Sequence, residues 1–328
     1  MASYGRDNEL DNLKNHIQLS EKGSSQILVG GYGVGKSHLL EILTQHLLEE
    51  GYAVATLELG SSNERAEHPD GVVSAIERSF QLRIGKTVFS SQEGMFLMRR
   101  VSGYKQYLTH SQILERSKRI QRDITEQFGE FSDVVSRDSL LRRIPSAMTA
   151  ANRAVETMIQ ISQNMKQTLN IKGLVILFDE AERSEWASTP HRVAQAQNLI
   201  TWFATRAANK SIKGLKTYRD ELPSISKTSS FLHTVFAFTH PYGLARFLQN
   251  RLDIPLVQLS SLDRADRIAI AEQIKLIYKI AYGQKVIGIK KDMLERIFHN
   301  TDSEDVRLFT RTIVTALDYL RLHGRYAD

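Results

Sequence analysis

The sequence predicts an α/β protein with a five-stranded parallel sheet and a glycine-rich loop after its first strand. Residues 30–37 read GGYGVGKS and lie between a short β-rich run and an amphipathic helical segment. Residues 174–179 read LVILFD, and such an apolar run is typical of a central strand covered on both faces. Strand-like and helix-like segments alternate up to Leu259, which indicates right-handed crossovers and parallel strands.

The period of the apolar residues assigns the elements in order. In the first part it predicts helices at residues 7–21, 36–50 and 70–82, the last with Asp70 as its N-cap, and strands at 26–30 and 52–59. The second part has strands at 174–179, 231–239 and 254–259, with helices at 190–209 and 241–250. Only helices follow, at 263–282, 290–300 and 305–323.

Residues 86–170 differ from the rest of the chain. They show no clear strand pattern and contain many helix-forming residues. Because so long a loop without secondary structure is uncommon in a compact domain, we expect a helical insertion here.

Composition limits the class of protein. The 328 residues include no cysteine, which excludes disulfides and thiolate-bound zinc. The apolar and charged fractions, 41% and 24%, are ordinary for a soluble protein. We find neither a signal peptide nor an apolar run long enough to span a bilayer, and we therefore expect a cytoplasmic protein. A net charge of +6 mildly favours anionic partners, although many soluble proteins of this charge bind none.

The glycine loop predicts a nucleotide site. Its glycines allow successive N–H groups to turn toward phosphate oxygens, and the following helix adds its positive N-terminal end. Lys36 would contact the β- and γ-phosphates, and the Ser37 hydroxyl would bind Mg²⁺. The simpler alternative is a glycine-rich turn. The predicted binding residues are Gly30, Gly31, Tyr32, Gly33, Val34, Gly35, Lys36, Ser37 and His38.

A carboxylate pair at the end of LVILFD predicts hydrolysis. Asp179 would hold Mg²⁺ through water, and Glu180 would act as general base on the attacking water. Alternatively, Glu180 or Glu182 is only an acidic residue in the first turn of a helix. No motif for a phosphoryl acceptor is visible, and the guanine-reading N-K-x-D motif is missing, which favours ATP.

At its N-terminus the chain resembles a known family. YGRDNELDNL is similar to the G-R-x-x-E-L entry segment of AAA+ ATPases of the origin-recognition and STAND-like branches. The resemblance implies that Tyr4, Gly5 and Arg6 pass beside the adenine. It also implies an AAA+ core at residues 1–260, with the insertion inside it, and a helical lid at 261–328.

The same resemblance assigns roles to further residues. Thr239 takes the place of the sensor-1 residue that contacts the γ-phosphate or water. Arg246 and Arg251 lie where an arginine finger reaches a neighbouring subunit's site, and either Arg307 or Arg311 takes the sensor-2 position. The family's usual glycine before the sensor-2 arginine is missing at Arg307. For each arginine, the alternative is a solvated helix face.

Within the superfamily, GGYGVGKSHLLEIL and GLVILFDEAE look closest to the ATP-binding proteins of bacteriophage-exclusion (BREX) systems. TnsC/TniB-type transposition ATPases are the second similar group. The sequence shows no winged-helix domain after the lid, which weakens an origin-type initiator, and no repeat or effector domain, which weakens a complete STAND receptor.

Basic residues predict possible contacts with double-stranded DNA. One set lies before the sensor-1 strand and two sets lie in the insertion, and the alternative for all of them is solvated surface. The residues are Arg206, Lys210, Lys213, Lys216, Arg219 and Lys227, then Arg116, Lys118, Arg119 and Arg122, then Arg142 and Arg143.

Three functions remain open. The first is an oligomeric AAA+ ATPase that assembles on DNA and drives or licenses a phage-defence or mobile-element complex. The second is an ATP-gated switch that recruits a protein partner without contacting DNA. The third is a nucleotide-binding subunit without turnover, which Glu180 and the finger candidates argue against.

Overall fold

The computed structural model describes residues 5–60, 66, 68–90, 150–210, 229–283, 291–300 and 305–323. Its helices are α1 (Asp7–Leu19), α2 (Lys36–Glu49), α3 (Pro69–Ser79), α4 (Ala150–Leu169), α5 (Pro190–Ala207), α6 (Gly243–Leu252), α7 (Arg264–Tyr282), α8 (Lys291–Asn300) and α9 (Val306–His323). Its strands are β1 (Ser24–Val29), β2 (Ala53–Glu58), β3 (Gln81–Ile84), β4 (Thr87–Ser90), β5 (Leu174–Asp179), β6 (Leu232–Phe238) and β7 (Leu256–Gln258). Among the described helices, none has the length and apolar character needed to cross a membrane.

The sheet is mixed but mainly parallel, and this confirms the predicted α/β fold class. Its strand order is β4-β3-β2-β5-β6-β1-β7. Strands β2, β5, β6, β1 and β7 are parallel neighbours, whereas β3 and β4 are antiparallel at one edge. Because β6 lies between β1 and β5, the segments that follow these three strands meet at one edge of the sheet.

Helices cover both faces of the sheet. One face packs against α3, α4, α5 and α6 in a large apolar cluster, in which Phe178 stacks on Phe236 with ring centroids 4.8 Å apart. The other face packs against α1 and α2. Helices α7, α8 and α9 share a separate apolar cluster around Phe309 and Leu317. The division into a core and a lid stays a prediction, and this separate cluster supports it.

The predicted insertion contains two core elements. Strand β4 lies at residues 87–90, and α4 packs against α3 and α5, so both belong to the core, while residues 91–149 lie outside the described part. Helix α3 ends at Ser79, not near residue 82, because residues 81–84 form β3. Its N-cap is His68, so the assignment of Asp70 as N-cap is wrong. Strands of four residues are too short for their alternation to stand out from a helical period.

Candidate nucleotide site

A cleft of about 1170 Å³ lies at the sheet edge where β1, β5 and β6 end. Its floor is formed by the glycine loop and the start of α2. One wall comes from the turn after β5 and the end of β6. The opposite wall comes from α7, the residues just before it, and α9. Its apolar side chains are those of Leu262, Ile270, Ile274, Ile277 and Val306.

Lys36 is a buried cation at the floor of this cleft. Helix α2 begins at Lys36, after Gly35 in the left-handed conformation. The Lys36 ammonium group donates to the carbonyl oxygens of Gly30 (2.7 Å) and Gly31 (3.0 Å), and it lies 3.4 Å from the Thr239 hydroxyl. These oxygens satisfy the ammonium group inside the loop, and a phosphate oxygen would offer it a stronger, charged acceptor.

Burial lowers the pKa of Lys36, because the charged form loses its hydration. The carboxylates of Glu182, Asp179 and Glu180 oppose this shift, with Glu182 contributing most among them, and Arg307 adds to it. The site therefore holds a poorly hydrated ammonium group beside several acidic groups. A bound polyanion with its metal ion would match that charge distribution.

The segment after β5 carries an unusual backbone conformation. Asp179 ends β5 opposite Glu58 of β2. Glu180 follows with φ 53° and ψ 41°, a left-handed conformation that side chains other than glycine seldom adopt. Its N–H donates to Asp179 Oδ1 at 2.9 Å, and a 3₁₀ turn continues over Ala181–Glu185. Such strained residues concentrate at functional sites.

Glu180 forms an ion pair within this turn. Its carboxylate contacts the Arg183 guanidinium directly, and the same guanidinium lies 3.9 Å from the Glu58 carboxylate. Burial raises the pKa of Glu180, and Arg183 opposes the shift. A raised pKa brings a carboxylate closer to the range in which it accepts a proton from water effectively.

The other two carboxylates of the turn reach different elements. Glu182 accepts a hydrogen bond from the Thr239 hydroxyl at the end of β6. Glu185 accepts the Leu244 N–H at 2.6 Å, at the start of α6. It lies against Gly243, whose φ of 53° and close approach leave no space for a Cβ. The turn thus connects the end of β5 to both β6 and α6.

Arg6 joins the N-terminal segment to the cleft. Its guanidinium donates to the carbonyl oxygens of Val34 (3.1 Å) and Ser260 (2.6 Å) and to Glu9 (3.1 Å), and it is buried. Arg6 lines the cleft, and its role beside the base stays a prediction. Tyr4, predicted for the same role, lies outside the described residues.

The last helix meets the glycine loop directly. Val306 N–H, at the start of α9, donates to the Gly33 carbonyl at 3.1 Å. Asp305 caps α9 by accepting the Leu308 N–H at 2.8 Å. Gly33 has φ +79°, and a Cβ there would lie 2.6 Å from Asp305 Oδ1. The contact between loop and helix therefore requires glycine at position 33.

The four candidate arginines fall into two pairs. Arg307 and Arg311 both line the cleft, and the Arg307 guanidinium lies 5.7 Å from the centre of the Tyr32 ring. Arg246 and Arg251 are exposed on α6 and are not among the residues that line the cleft. The first pair therefore faces the cleft of its own chain. The roles of all four arginines stay predictions.

The remaining loop residues are placed as follows. Ser37 and His38 are exposed and line the cleft, as does the buried Asp179. Gly30 and Gly31 do not line it, and their carbonyls hold Lys36 instead. Within the described ranges, no group of three or more His, Asp or Glu side chains could hold a metal ion. Mg²⁺ in nucleotide sites needs only one or two protein ligands, with phosphates and water completing its shell.

Arg206 does not form part of a DNA-facing surface. It is buried, and its guanidinium pairs with Glu156 of α4 at 2.6 Å. The Lys210 ammonium group donates to the carbonyl oxygens of Leu252 and Asp253, so it closes the end of α6. The other predicted DNA contacts lie outside the described residues: Lys213, Lys216, Arg219, Lys227, Arg116, Lys118, Arg119, Arg122, Arg142 and Arg143.

Sequence reasoning missed Arg183, Glu185 and Asp305. The spacing of Glu180 and Arg183, three residues apart after the strand, was an available signal for their ion pair. The contacts of Glu185 with α6 and of Asp305 with Gly33 join segments far apart in the chain. No local sequence pattern predicts such contacts.

Comparisons with known proteins add little to this geometry. No family model matches the chain, and no curated protein does. Among solved structures, it is similar to a DNA replication initiation factor (10% identity, TM-score 0.42) and to AMPPCP-bound DnaA from Aquifex aeolicus (11% identity, TM-score 0.41). Each match covers 99% of this chain but only 63% of the other chain. These values carry no argument about function, which therefore rests on the site itself.

Proposed function

We propose that this protein binds ATP with Mg²⁺ in the cleft and hydrolyses it, as an ATPase of the AAA+ type. One observation carries the proposal. The P-loop lysine Lys36, the carboxylates of Asp179 and Glu180, and the hydroxyl of Thr239 come from three separate strand ends and line one cleft. This is the set of groups that phosphoryl transfer to water requires.

The donor set fits a magnesium ion. The Ser37 hydroxyl and the Asp179 carboxylate are hard oxygen ligands, and both line the cleft. Bound there, the ion would neutralise charge on the phosphate oxygens. The chain's own groups do the rest. Lys36 exchanges the carbonyls of the loop for phosphate oxygens, and Glu180 orients water and accepts its proton.

The exposed arginines support an oligomer. Arg246 and Arg251 are exposed on α6, and Glu185 of the 3₁₀ turn after β5 accepts a hydrogen bond from the first turn of that helix. A neighbouring subunit's cleft would thus receive an arginine that stabilises charge on the transferred phosphoryl group, an effect of about 10³–10⁵ in rate. We propose that such an oligomer assembles on double-stranded DNA in a phage-defence or mobile-element complex, of which BREX systems and TnsC/TniB-type transposition are the two candidates.

A second function has its own support. Two apolar side chains of the last helices are exposed outside the cleft, Ile280 by 77% and Leu322 by 65%. Arg206 and Lys210, two of the basic residues assigned to DNA, instead contact other groups of this chain: Arg206 pairs with Glu156, and Lys210 donates to the carbonyl of Leu252. These observations favour a switch that recruits a protein partner when ATP is bound.

The deciding experiment is steady-state ATP hydrolysis across protein concentration, with and without double-stranded DNA. Stimulation by DNA, with a rate per subunit that rises with concentration, would support the DNA-assembled ATPase. A flat rate that DNA does not change would favour the protein-recruiting switch. Lys36→Ala serves as the control for contaminating activity, and a wild-type protein no faster than this variant would refute hydrolysis.

A further inference from the structure

Glu182 is an acidic residue of the cleft to which the mechanism above gives no role. It lines the cleft one position beyond Ala181, in the 3₁₀ turn after β5. One carboxylate oxygen accepts the hydrogen bond from Thr239. The other is buried and has no hydrogen-bond partner among the described residues. A buried carboxylate oxygen left in this way is uncommon and calls for an explanation.

The hydrogen bond between Glu182 and Thr239 fixes the direction of the hydroxyl group. An ionised carboxylate only accepts hydrogen bonds, so the single proton of the Thr239 hydroxyl points to Glu182. The lone pairs of Thr239 then face away from Glu182, and the Lys36 ammonium group lies 3.4 Å from this oxygen. Thr239 is therefore an acceptor toward the cleft.

This polarity determines what Thr239 can bind during turnover. When Lys36 turns to the phosphates, the Thr239 oxygen loses the cation beside it. Phosphate oxygens carry no proton to donate, whereas water has two. A water molecule could give one hydrogen bond to Thr239 and the other to Glu180, which leaves its lone pair for the γ-phosphorus.

We infer that Glu182 is a positioning residue that makes Thr239 the acceptor for the nucleophilic water and prevents it from donating to the γ-phosphate. This inference rests on the proposed ATPase function. In the step, the water oxygen forms a bond to the γ-phosphorus and the bond to the bridging oxygen breaks, with its electron pair left on ADP. One water proton passes to Glu180 and on to solvent, and the other stays on the phosphate product.

The test combines Glu182→Ala, Thr239→Val and the double variant. We expect Glu182→Ala to lower kcat by about 10- to 100-fold, because a hydrogen bond to a charged group is lost in the transition state. The dissociation constant for N-methylanthraniloyl-ATP should change by less than about 3-fold, since the effect lies in the chemical step. The double variant should be no slower than Thr239→Val alone.

Two further variants sharpen the result. Glu182→Gln keeps an uncharged oxygen acceptor, so its kcat should lie between those of the wild type and Glu182→Ala. If Glu182→Ala does not fold, Glu182→Gln takes its place in the test. Glu185 belongs to the same turn, but its carboxylate contacts α6 and not Thr239. The effects of Glu185→Ala and Thr239→Val on kcat should therefore be additive in free energy. An unchanged kcat for Glu182→Ala would overturn this inference, as would a double variant in which the fold-losses in kcat of the two single variants multiply. Neither result would contradict the proposed ATPase function. A wild-type protein without nucleotide binding would overturn both.

Discussion

Replacement of Gly33 by alanine tests the contact between the glycine loop and α9. Gly33 has φ +79°, its carbonyl accepts the Val306 N–H, and a Cβ would lie 2.6 Å from Asp305 Oδ1. Asp305 cannot simply turn away, because that oxygen also accepts the Leu308 N–H that caps α9. We expect the variant to fold but to lose the contact between the start of α9 and the glycine loop.

The magnitude follows from three local costs. A left-handed conformation costs an alanine about 1–2 kcal/mol. Displacement of Asp305 forfeits an N-cap of about 1 kcal/mol. Loss of the hydrogen bond from Val306 to Gly33 costs about 1 kcal/mol. The last two, about 2 kcal/mol together, act on the contact between α9 and the loop, so the apparent affinity for ATP should fall by at most about 30-fold.

The assay is titration with N-methylanthraniloyl-ATP, with thermal unfolding measured in parallel. Gly51→Ala is the matched control, since Gly51 has φ +89° and nothing within 4 Å of an added Cβ. It should lose stability without losing affinity. In Gly33→Ala/Asp305→Ser the shorter side chain clears the Cβ and keeps a capping hydroxyl, so affinity should partly return. Wild-type affinity in Gly33→Ala, or no recovery in the double variant, would refute this account.

Three further predictions concern charged residues. Glu180→Gln should retain ATP but stall turnover and become more oligomeric by light scattering, because ATP held at an interface bridges subunits; rapid turnover by this variant would remove Glu180 from the mechanism. Because burial raises the pKa of Glu180, kcat should fall on acidification at a pH above the pKa of an ordinary glutamate. Arg183→Ala removes the charge that opposes this shift, so the acidic limb of the kcat–pH profile should move to higher pH. An acidic limb that stays in place or moves to lower pH would contradict this prediction. Glu156→Ala leaves the buried Arg206 without its partner and should lower the free energy of unfolding in urea by about 3 kcal/mol. The double variant Glu156→Leu/Arg206→Met should recover most of this loss. Equal losses in the single and the double variant would show that the unpaired arginine does not cause the destabilisation.

The α/β fold and the place of the glycine loop were predictable from local patterns. The strand LVILFD was assigned with its exact bounds, since a fully buried strand is apolar throughout. The start of α2 at Lys36 was also correct, because G-x-x-x-x-G-K-S includes the backbone that begins the helix. The hairpin of β3 and β4 was missed, as two strands of four residues leave too short an alternation to detect.

The sequence by itself determined which chemical groups this protein carries, that Asp179 ends a strand, and that Lys36 and Glu180 come after strands. Only the tertiary structure decided what each group contacts: that Glu182 binds Thr239, that Asp305 rests on Gly33, and that Arg206 is buried against Glu156. The physical reason lies in the range of the two kinds of information. Hydrophobic period and loop chemistry act between residues a few positions apart, whereas these contacts join residues far apart in the chain, which meet only once the helices and the sheet have packed together.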